Sequence, residues 1–393
     1  MAKVIVLATL ATKAEETTYL ITRLSEIGVA ARAIDISLHS GGRILDGDAK
    51  VAAMKEAAAR ATIDAVEAVA GDAELVVGIG GGTGGEIALR VLRALPITYP
   101  KMLVTTLPFD PRATLADSSI FLIPTLADIA GLNAILRRVL DNAALMAAGL
   151  CRNDLSGGDD NAVPSVGITA LGATDGAVAP LVSALARRGQ ESSVFHSNGY
   201  GGAAFARFAK ENAFDAIIDL TPHELTRIHV DGAHVDMPDR FSAGGDRPRI
   251  VLPGALNFIG LGEKSLLAKH YLERPHYAHS GFFTHVKMSD TEMAHVATKL
   301  AESLNTLKGP CAVIIPMGGF SHHDRPGGAI EDPALRAVCR DTLREKLSPK
   351  IQLKTVDAHL FDPQITKDIL VTLDALSAQK DTSCTISLKK KTP

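Results

Sequence analysis

Short β-branched runs alternate along this chain with longer segments that are rich in Ala, Leu, Arg and Glu and have a helical period. This alternation is typical of βα units, in which helices cover both faces of a parallel sheet. Five strands are predicted in the first part of the chain, at 3–9, 30–36, 75–79, 101–106 and 120–124. Six more are predicted further on, at 165–170, 192–196, 216–220, 249–253, 311–316 and 351–356. The sequence therefore predicts an α/β protein with two Rossmann-like, doubly wound parallel-sheet domains.

A polar segment separates the two sets of predicted strands. Residues 151–163 read CRNDLSGGDDNAV and show no apolar period, as expected of a linker. We therefore place one domain at 1–155 and a second at 163–376, and a length of 393 residues fits two domains of about 150 residues or more. The segment 377–393 loses the helical period and contains a run of three lysines, which predicts a disordered tail.

The composition argues against several classes of partner. Lys and Arg number 41 against 44 Asp and Glu, so the net charge of −3 provides no positive field for nucleic acid or an anionic membrane. Aromatic residues make up 4 % of the chain and Trp is absent, which disfavours stacking on single strands. Because no apolar run approaches the ~18 residues of a membrane span and the start does not resemble a signal peptide, we expect a cytoplasmic protein without nucleic-acid or membrane partners.

The most specific local signal is the segment VVGIGGGTGGEIALRVL at 76–92, where a buried strand runs into glycines and then into a helix. Backbone N–H groups without neighbouring Cβ atoms can approach an anion closely, and the helix dipole favours negative charge there. The segment lacks the ending of a P-loop and meets the dinucleotide fingerprint only loosely. It predicts a phosphate site, and the alternative is a merely tight turn. The candidate residues are Gly80, Gly81, Gly82, Thr83, Gly84 and Gly85.

Two charged residues near the first two strands are further candidates. Lys13 lies in the first turn of a predicted helix, where a cation opposes the dipole. Either a phosphate holds it in the crevice, which we favour, or its side chain reaches solvent. Asp35 ends the second strand and is suited to accept a ribose hydroxyl, although a strand end is also an ordinary place for Asp.

The second domain carries polar residues directly after its predicted strands. Ligands of open α/β sheets bind beyond the carboxyl ends of the strands, so such residues are candidates for catalysis. A neutral His beside a carboxylate can act as a general base. A nucleophilic role for Ser321 is weaker, because sequence neighbours rarely form the required hydrogen bond. The catalytic candidates are His196, Glu224, Ser321, His322, His323 and Asp324, with His223 as a further acid/base or ligand residue.

Metal binding stays an alternative for this His-rich half. All thirteen histidines except His39 lie at or beyond His196, yet their spacing matches no metal-ligand template. The four cysteines lie far apart without a C-x-x-C pair, so we expect reduced thiols and neither a disulfide framework nor a thiolate metal site. We therefore assign no metal ligands.

Collinear motifs over residues 3–370 resemble a bacterial, fungal and plant family of ATP-binding domains. That family includes the N-terminal region of the tomato protein that resists tomato mosaic virus by inhibiting viral RNA replication. The motifs are TLxTKxEE from Thr9 to Glu16, GIGGGTGG, RALPITYPK, DIAGLN, RRVLDNAA, FHSNGYGG, DLTPHEL, DRF, PGALNF and FSHHDRPG. The resemblance implies two Rossmann-like domains, of which the first binds ATP at a dimer surface through Thr9, Thr12, Lys13 and Gly80 to Gly85.

Several positions depart from the family pattern. Ala11 stands where the family usually has Asp, and LPFDPRATLAD replaces a Ser/Gly/Asp/Thr segment after the fourth strand. In the second domain Asn257 replaces an Asp, and His322 and His323 replace small apolar residues before the retained Asp324. These differences indicate a second site that is suited to a substrate of its own.

Our leading hypothesis is a homodimer or higher homo-oligomer that binds ATP with Mg²⁺ through its first domain. It would be an enzyme, a hydrolase or another activity, that acts on a small-molecule substrate in an interdomain crevice lined by His, Glu and Asp. One alternative is a nucleotide-independent hydrolase or lyase, with a catalytic divalent metal in one version. The other is a nucleotide-dependent protein-interaction module.

Overall fold

The computed structural model describes residues 2–39, 45–108, 110–151 and 164–389, with side chains described up to residue 379. The chain divides into two compact units, Met1–Asp160 and Asn161–Pro393. The predicted linker lies outside the described residues except for Cys151. Within the described residues, none of the helices is both long enough and apolar enough to cross a bilayer.

The first unit is a five-stranded parallel sheet with helices on both faces. Its strands have the order β2-β1-β3-β4-β5. Each strand lies within one residue of its predicted bounds. The elements are β1 (Val4–Ala8), α1 (Leu10–Glu26), β2 (Ala31–Asp35), α2 (Gly47–Ala70), β3 (Leu75–Gly80), α3 (Gly82–Ala94), β4 (Lys101–Thr105), α4 (Pro111–Leu115), β5 (Phe121–Pro124) and α5 (Ala134–Cys151).

Strand β1 shows why this sheet needs helices on both sides. All five of its residues are buried, and alternate side chains point to opposite faces. Ile5 and Leu7 pack with α2 and α3, whereas Val4 and Val6 pack with α1 and α5. A continuous apolar strand therefore becomes the centre of a three-layer unit.

The second unit contains a six-stranded parallel sheet of order β14-β13-β9-β8-β6-β7 and a small antiparallel sheet of order β10-β12-β11. Its strands are β6 (Ser165–Ala170), β7 (Glu191–His196), β8 (Ala216–Asp219), β9 (Arg249–Val251), β10 (Phe258–Leu261), β11 (His276–Ala278), β12 (Thr284–Lys287), β13 (Cys311–Pro316) and β14 (Gln352–Val356). Its helices are α6 (Asp175–Ala186), α7 (Gly201–Lys210), α8 (Glu224–His229), α9 (Lys269–Leu272), α10 (Asp290–Asn305), α11 (Pro333–Lys346) and α12 (Pro363–Lys389), with 3₁₀ turns at Gly172–Thr174 and Lys264–Leu266.

Both parallel sheets confirm the predicted fold class, and they share one topological feature. The first strand of each unit lies in the interior, with the second strand on one side and the third on the other. The chain therefore reverses its winding direction between β1 and β3 in the first unit and between β6 and β8 in the second. Ligand sites of doubly wound sheets lie at such switch points, beyond the carboxyl ends of the strands.

The structure differs from the sequence expectation at three places. The small antiparallel sheet was not predicted, because its strands of three and four residues are too short to show a period. The helical period of the sequence predicts a helix at 127–149, but α5 starts at Ala134, since Asn133 accepts a hydrogen bond from Leu136 N at 2.9 Å and caps the helix. Helix α12 runs to Lys389, into the segment predicted to be disordered from 377.

Candidate functional site

The glycine-rich turn lies at the switch point of the first unit, between β3 and α3. A Cβ on Gly80 would lie 2.3 Å from Gly85 N, and one on Gly85 would lie 2.9 Å from Gly80 O. These two glycines allow the tight turn itself. Among the described residues, no atom lies within 4 Å of the Cβ position of Gly82, and no side chain caps α3 at Gly81. The first N–H groups of a helix have no intrahelical partner, so the N-terminus of α3 has no side-chain cap in this part of the chain.

Threonine hydroxyls surround this turn. The Cβ position of Gly84 is 3.4 Å from Thr9 Oγ1, and that of Gly81 is 3.4 Å from Thr106 Oγ1. Thr9 Oγ1 is in turn 3.0 Å from Thr12 Oγ1. The structure therefore brings the predicted Thr9 and Thr12 to the glycine turn, together with Thr106, which sequence reasoning had counted only as the end of a strand.

Lys13 and Asp35 are engaged elsewhere. The Lys13 ammonium donates to the carbonyl oxygen of Ile129, and Lys13 has a non-helical backbone within α1. Asp35 Oδ1 accepts hydrogen bonds from Leu10 N at 3.0 Å and from the backbone N and Oγ of Ser37 at 2.9 and 2.5 Å. Although burial raises the pKa of Asp35, these hydrogen bonds keep it below its usual value. Asp35 thus caps the N-terminus of α1.

At the switch point of the second unit, a buried ion network lies beyond β8. The Arg240 guanidinium donates to both oxygens of Asp219, at 2.7 and 3.0 Å, and to Glu224 Oε2 at 3.1 Å. All three side chains are at most 1 % exposed. The guanidinium lies between the rings of Phe205 and Phe241, 4.9 and 4.7 Å from their centroids. The network holds the Glu224 carboxylate in one place.

The pKa values of the two carboxyl groups in this network are shifted in opposite directions. Burial raises the pKa of Asp219, but Arg240 outweighs this effect and keeps the pKa below the usual value. Burial also raises the pKa of Glu224, and here Arg240 offsets it only in part. Glu224 Oε1 makes no hydrogen bond within the described residues, although the nearby Ser197 hydroxyl lowers the pKa of Glu224. Glu224 is therefore a carboxyl group with a raised pKa and an unused oxygen.

His223 and Arg227 lie beside this network on the same turn. The His223 ring is fully buried, its Nδ1 is 2.8 Å from Ala255 O, and its Nε2 has no hydrogen-bond partner in the described part of the chain. A Cβ on Gly260 would lie 2.6 Å from Arg227 Nη2 and 3.0 Å from His223 Nε2. Both groups therefore converge on one small volume over a glycine of β10.

Loops from four parallel strands meet around His223. The carbonyl oxygen of Ala255 lies 2.8 Å from His223 Nδ1, and the backbone N of Ala255 donates to Phe320 O at 2.9 Å. His322 N donates to Ala173 O at 2.8 Å, which ties the loop after β13 to the turn after β6. Ala255 has a φ of 56°, a left-handed conformation that is costly for alanine. Such strain is frequent at binding sites, where surrounding contacts hold it in place.

A group of aromatic and imidazole rings adjoins this site. The ring of His285 stacks on Phe258, with 4.0 Å between centroids, and on His279 at 4.8 Å. Tyr277 Oη is 2.6 Å from His285 Nδ1, and the Tyr277 ring is 3.9 Å from that of His323. Burial lowers the pKa of His285 to about 3, so the ring is neutral at physiological pH.

The predicted catalytic residues do not all lie together. His196 and Glu224 lie near His223, and His323 packs on Tyr277 in the adjoining group of rings. Burial lowers the pKa of His196, and Arg227 lowers it further. His322 is exposed and lies against His323, with ring centroids 4.7 Å apart.

Asp324 and Ser321 have different surroundings. Asp324 is fully buried and accepts hydrogen bonds from Phe320 N at 2.9 Å, from Asp332 N at 3.2 Å and from Arg336. These contacts shape the loop after β13 and use both carboxylate oxygens. The Ser321 hydroxyl is buried without a hydrogen-bond partner in the described residues.

Sequence reasoning missed Asp219, Arg227 and Arg240, and it treated Asn257 only as a departure from a family pattern. Asn257 is 1 % exposed, and neither atom of its amide has a hydrogen-bond partner within the described ranges. Buried polar atoms are usually bonded, so several unpaired ones together indicate a ligand site. Among the described residues, no three His, Cys, Asp or Glu side chains are grouped so as to hold a metal ion.

Comparison with known proteins gives matches over both domains. The C-terminal domain of an uncharacterised protein family (UPF0261) matches residues 163–377, and the N-terminal domain of the same family matches residues 42–156. A UPF0261 protein of Mesorhizobium japonicum is 30 % identical over 401 positions, which cover 95 % of this chain and 99 % of that protein. A UPF0261 protein of Clostridium tetani is 28 % identical over 92 % of this chain and 96 % of its own length. The ToMV resistance protein Tm-1(GCR237) of Solanum lycopersicum is 26 % identical over 75 % of this chain and 40 % of its own length.

Proposed function

The chain belongs to the UPF0261 family, and we propose that it is an enzyme with two sites, a nucleotide-phosphate site in the first domain and a small-molecule site in the second. The observation that carries the proposal is the uncapped N-terminus of α3 at the switch point of the first sheet. An open helix N-terminus offers N–H donors and a favourable dipole to a phosphate.

The residues around this N-terminus fit a nucleoside triphosphate. Gly82 leaves room for a phosphate group, and the hydroxyls of Thr9 and Thr106 lie beside the turn. Thr83, in the first turn of α3, adds a further hydroxyl. Mg²⁺ usually binds with several waters and the phosphates themselves, so ATP with Mg²⁺ is the nucleotide we propose.

The second domain would supply acid–base chemistry. Glu224 has a raised pKa and an unpaired oxygen, and the neutral ring of His223 lies on the same turn. A carboxyl group and a neutral imidazole with different proton affinities can divide the roles of acid and base. This pairing of acid and base favours an enzyme. The alternative, a protein-interaction module, would be supported only by the name of the tomato relative, which is a resistance protein.

Titration of ATP with Mg²⁺ into the full chain tests the nucleotide site. In a Gly82→Asp variant a carboxylate takes the place of the phosphate, and repulsion should weaken binding roughly 10-fold or more. The variant should still fold, because its new side chain meets no atom within 4 Å at the Cβ position and an acidic residue is favourable at a helix start.

Gly149→Asp is the matched control, since Gly149 is an exposed glycine of α5 with open space around it and carries the same charge change. Its affinity for ATP should equal that of the native chain. If the native chain does not bind ATP at millimolar concentration, or if Gly82→Asp binds as tightly as Gly149→Asp, the nucleotide site is refuted. Release of inorganic phosphate from ATP, measured on the same samples, separates hydrolysis from binding alone.

A further inference from the structure

Arg227 is a buried cation without a carboxylate of its own. It is 7 % exposed, and within the described residues no Asp or Glu oxygen lies within 4.0 Å of its guanidinium. The carboxylate that acts on it most strongly is that of Glu224, which is already bonded to Arg240. An unpaired charge is costly to bury. The position of Arg227 therefore points to an anionic partner.

One edge of the Arg227 guanidinium is available for that partner. Nη1 donates to Ala233 O at 3.1 Å. Nε has no hydrogen-bond partner in the described part of the chain, and Nη2 makes no hydrogen bond there either. Nε and Nη2 form one side of the planar guanidinium, and this pair of N–H groups matches the two oxygens of a carboxylate.

The neighbouring His223 requires a donor from the same ligand. A carbonyl oxygen only accepts, so the contact of His223 Nδ1 with Ala255 O at 2.8 Å places the ring proton on Nδ1. Burial holds the pKa of His223 well below its usual value, and the ring is neutral. Nε2 therefore carries a lone pair, which accepts from a hydroxyl group and repels the oxygens of an anion without a hydroxyl group, such as sulfate.

The two groups are close enough to hold one small molecule. Arg227 Nη2 and His223 Nε2 both lie within 3.0 Å of the Cβ position of Gly260. We propose that the second domain binds a small hydroxy acid, with its carboxylate on Arg227 and its hydroxyl group on His223 Nε2. This inference deepens the proposed function and rests on its small-molecule site, but it requires no nucleotide.

Isothermal titration of the full chain without nucleotide tests the inference. The probes are glycolate, lactate and malate, each paired with the acid that lacks its hydroxyl group, namely acetate, propionate and succinate, and sulfate is tested alongside. We expect at least one hydroxy acid to bind at millimolar concentration, and its partner without the hydroxyl to bind about tenfold more weakly. Arg227→Gln should raise the dissociation constant about 100-fold.

Arg325→Gln is the matched control, because Arg325 is an exposed arginine near the site and its loss should not change binding. Gly260→Ala is a second variant, which keeps the charge of Arg227 but fills the volume between Nη2 and Nε2, and it should also abolish binding. Thermal melting of each variant shows that it is folded, and if Arg227→Gln does not fold, Gly260→Ala carries the test.

Three results would overturn the inference: no hydroxy acid binds, Arg227→Gln or Gly260→Ala binds as well as the native chain, or sulfate and the acids without a hydroxyl bind as tightly as the hydroxy acids. The Gly82→Asp variant separates this test from that of the nucleotide site. It should lose ATP and keep the hydroxy acid, so that either site can fail without the other.

Discussion

Replacing Arg240 by methionine removes the only guanidinium that bonds both Asp219 and Glu224 in the described residues. Both carboxylates then remain in a site that is at most 1 % exposed. Breaking a buried ion network from one side costs about 3–5 kcal/mol of unfolding free energy. The side chain of methionine fills part of the space between Phe205 and Phe241, so the loss comes mainly from the charges. Glu224 loses its ion pair, and Asp219 keeps Arg249 Nη1 at 3.5 Å and the hydroxyl of Thr169 at 2.7 Å.

The free energy of unfolding can be followed by thermal melting and by urea titration. For a cooperative unit of 150–250 residues, 1 kcal/mol lowers Tm by about 2–4 °C, so Arg240→Met should lower it by about 6–20 °C. Arg340→Met removes an ion pair at the surface, with Asp341 at 2.8 Å, and should leave Tm nearly unchanged. A loss in Arg240→Met no larger than that in Arg340→Met would refute the reasoning.

The difference in unfolding free energy between the native chain and Arg240→Met should depend on pH, and the sign of this dependence can be worked out. In the native chain the pKa of Asp219 is lowered, so its contribution is present above the usual Asp pKa of about 3.9 and is lost as the pH falls through the folded value. Without Arg240, only Arg249 and Thr169 still lower the pKa of Asp219, so burial raises the pKa of both Asp219 and Glu224 in the variant. The folded variant then takes up protons as the pH falls. The deficit of Arg240→Met relative to the native chain should therefore shrink between pH 8 and pH 5.

Three further predictions follow from single contacts. Gly80→Ala should cost about 1–3 kcal/mol or more in urea titration, because its Cβ would lie 2.3 Å from a backbone nitrogen, whereas Gly82→Ala should cost far less since nothing lies within 4 Å. Ser289→Ala should cost about 1 kcal/mol in the same assay, since it removes the acceptor of the Glu292 N–H at the start of α10; a cost of zero would contradict the capping role. Cys339 is fully buried and burial raises its pKa to about 12, so mass spectrometry should find it unalkylated by iodoacetamide until the protein unfolds.

The strands and the position of the glycine turn could be predicted because both follow from local patterns. The parallel strands lie within two residues of their predicted bounds, since β-branched runs between helical segments have few other interpretations. The small antiparallel sheet could not be found in this way, because β11 has only three residues and its stability comes from pairing with β12. Pairing partners are not visible in a single sequence.

The sequence predicts where the candidate sites lie better than it predicts which residues form them. The sequence predicts Lys13 and Asp35 as ligand-binding residues, but it cannot show that Lys13 donates to Ile129 O and that Asp35 accepts from Leu10 N. Arg240 lies in the loop between α8 and β9, yet it is completely buried. Only the distance between chain segments decides such cases.

The alternation of apolar runs and helical segments, a local property, was enough to determine two parallel sheets and the edge of each at which polar residues gather. The tertiary structure decided which of those residues remain unpaired. Charge and hydrogen-bond complementarity act over a few ångströms between residues far apart in the chain. The bonding of Asp219 to Arg240, and the lack of an ion pair at Arg227 among the described residues, therefore arise only when the loops have folded together.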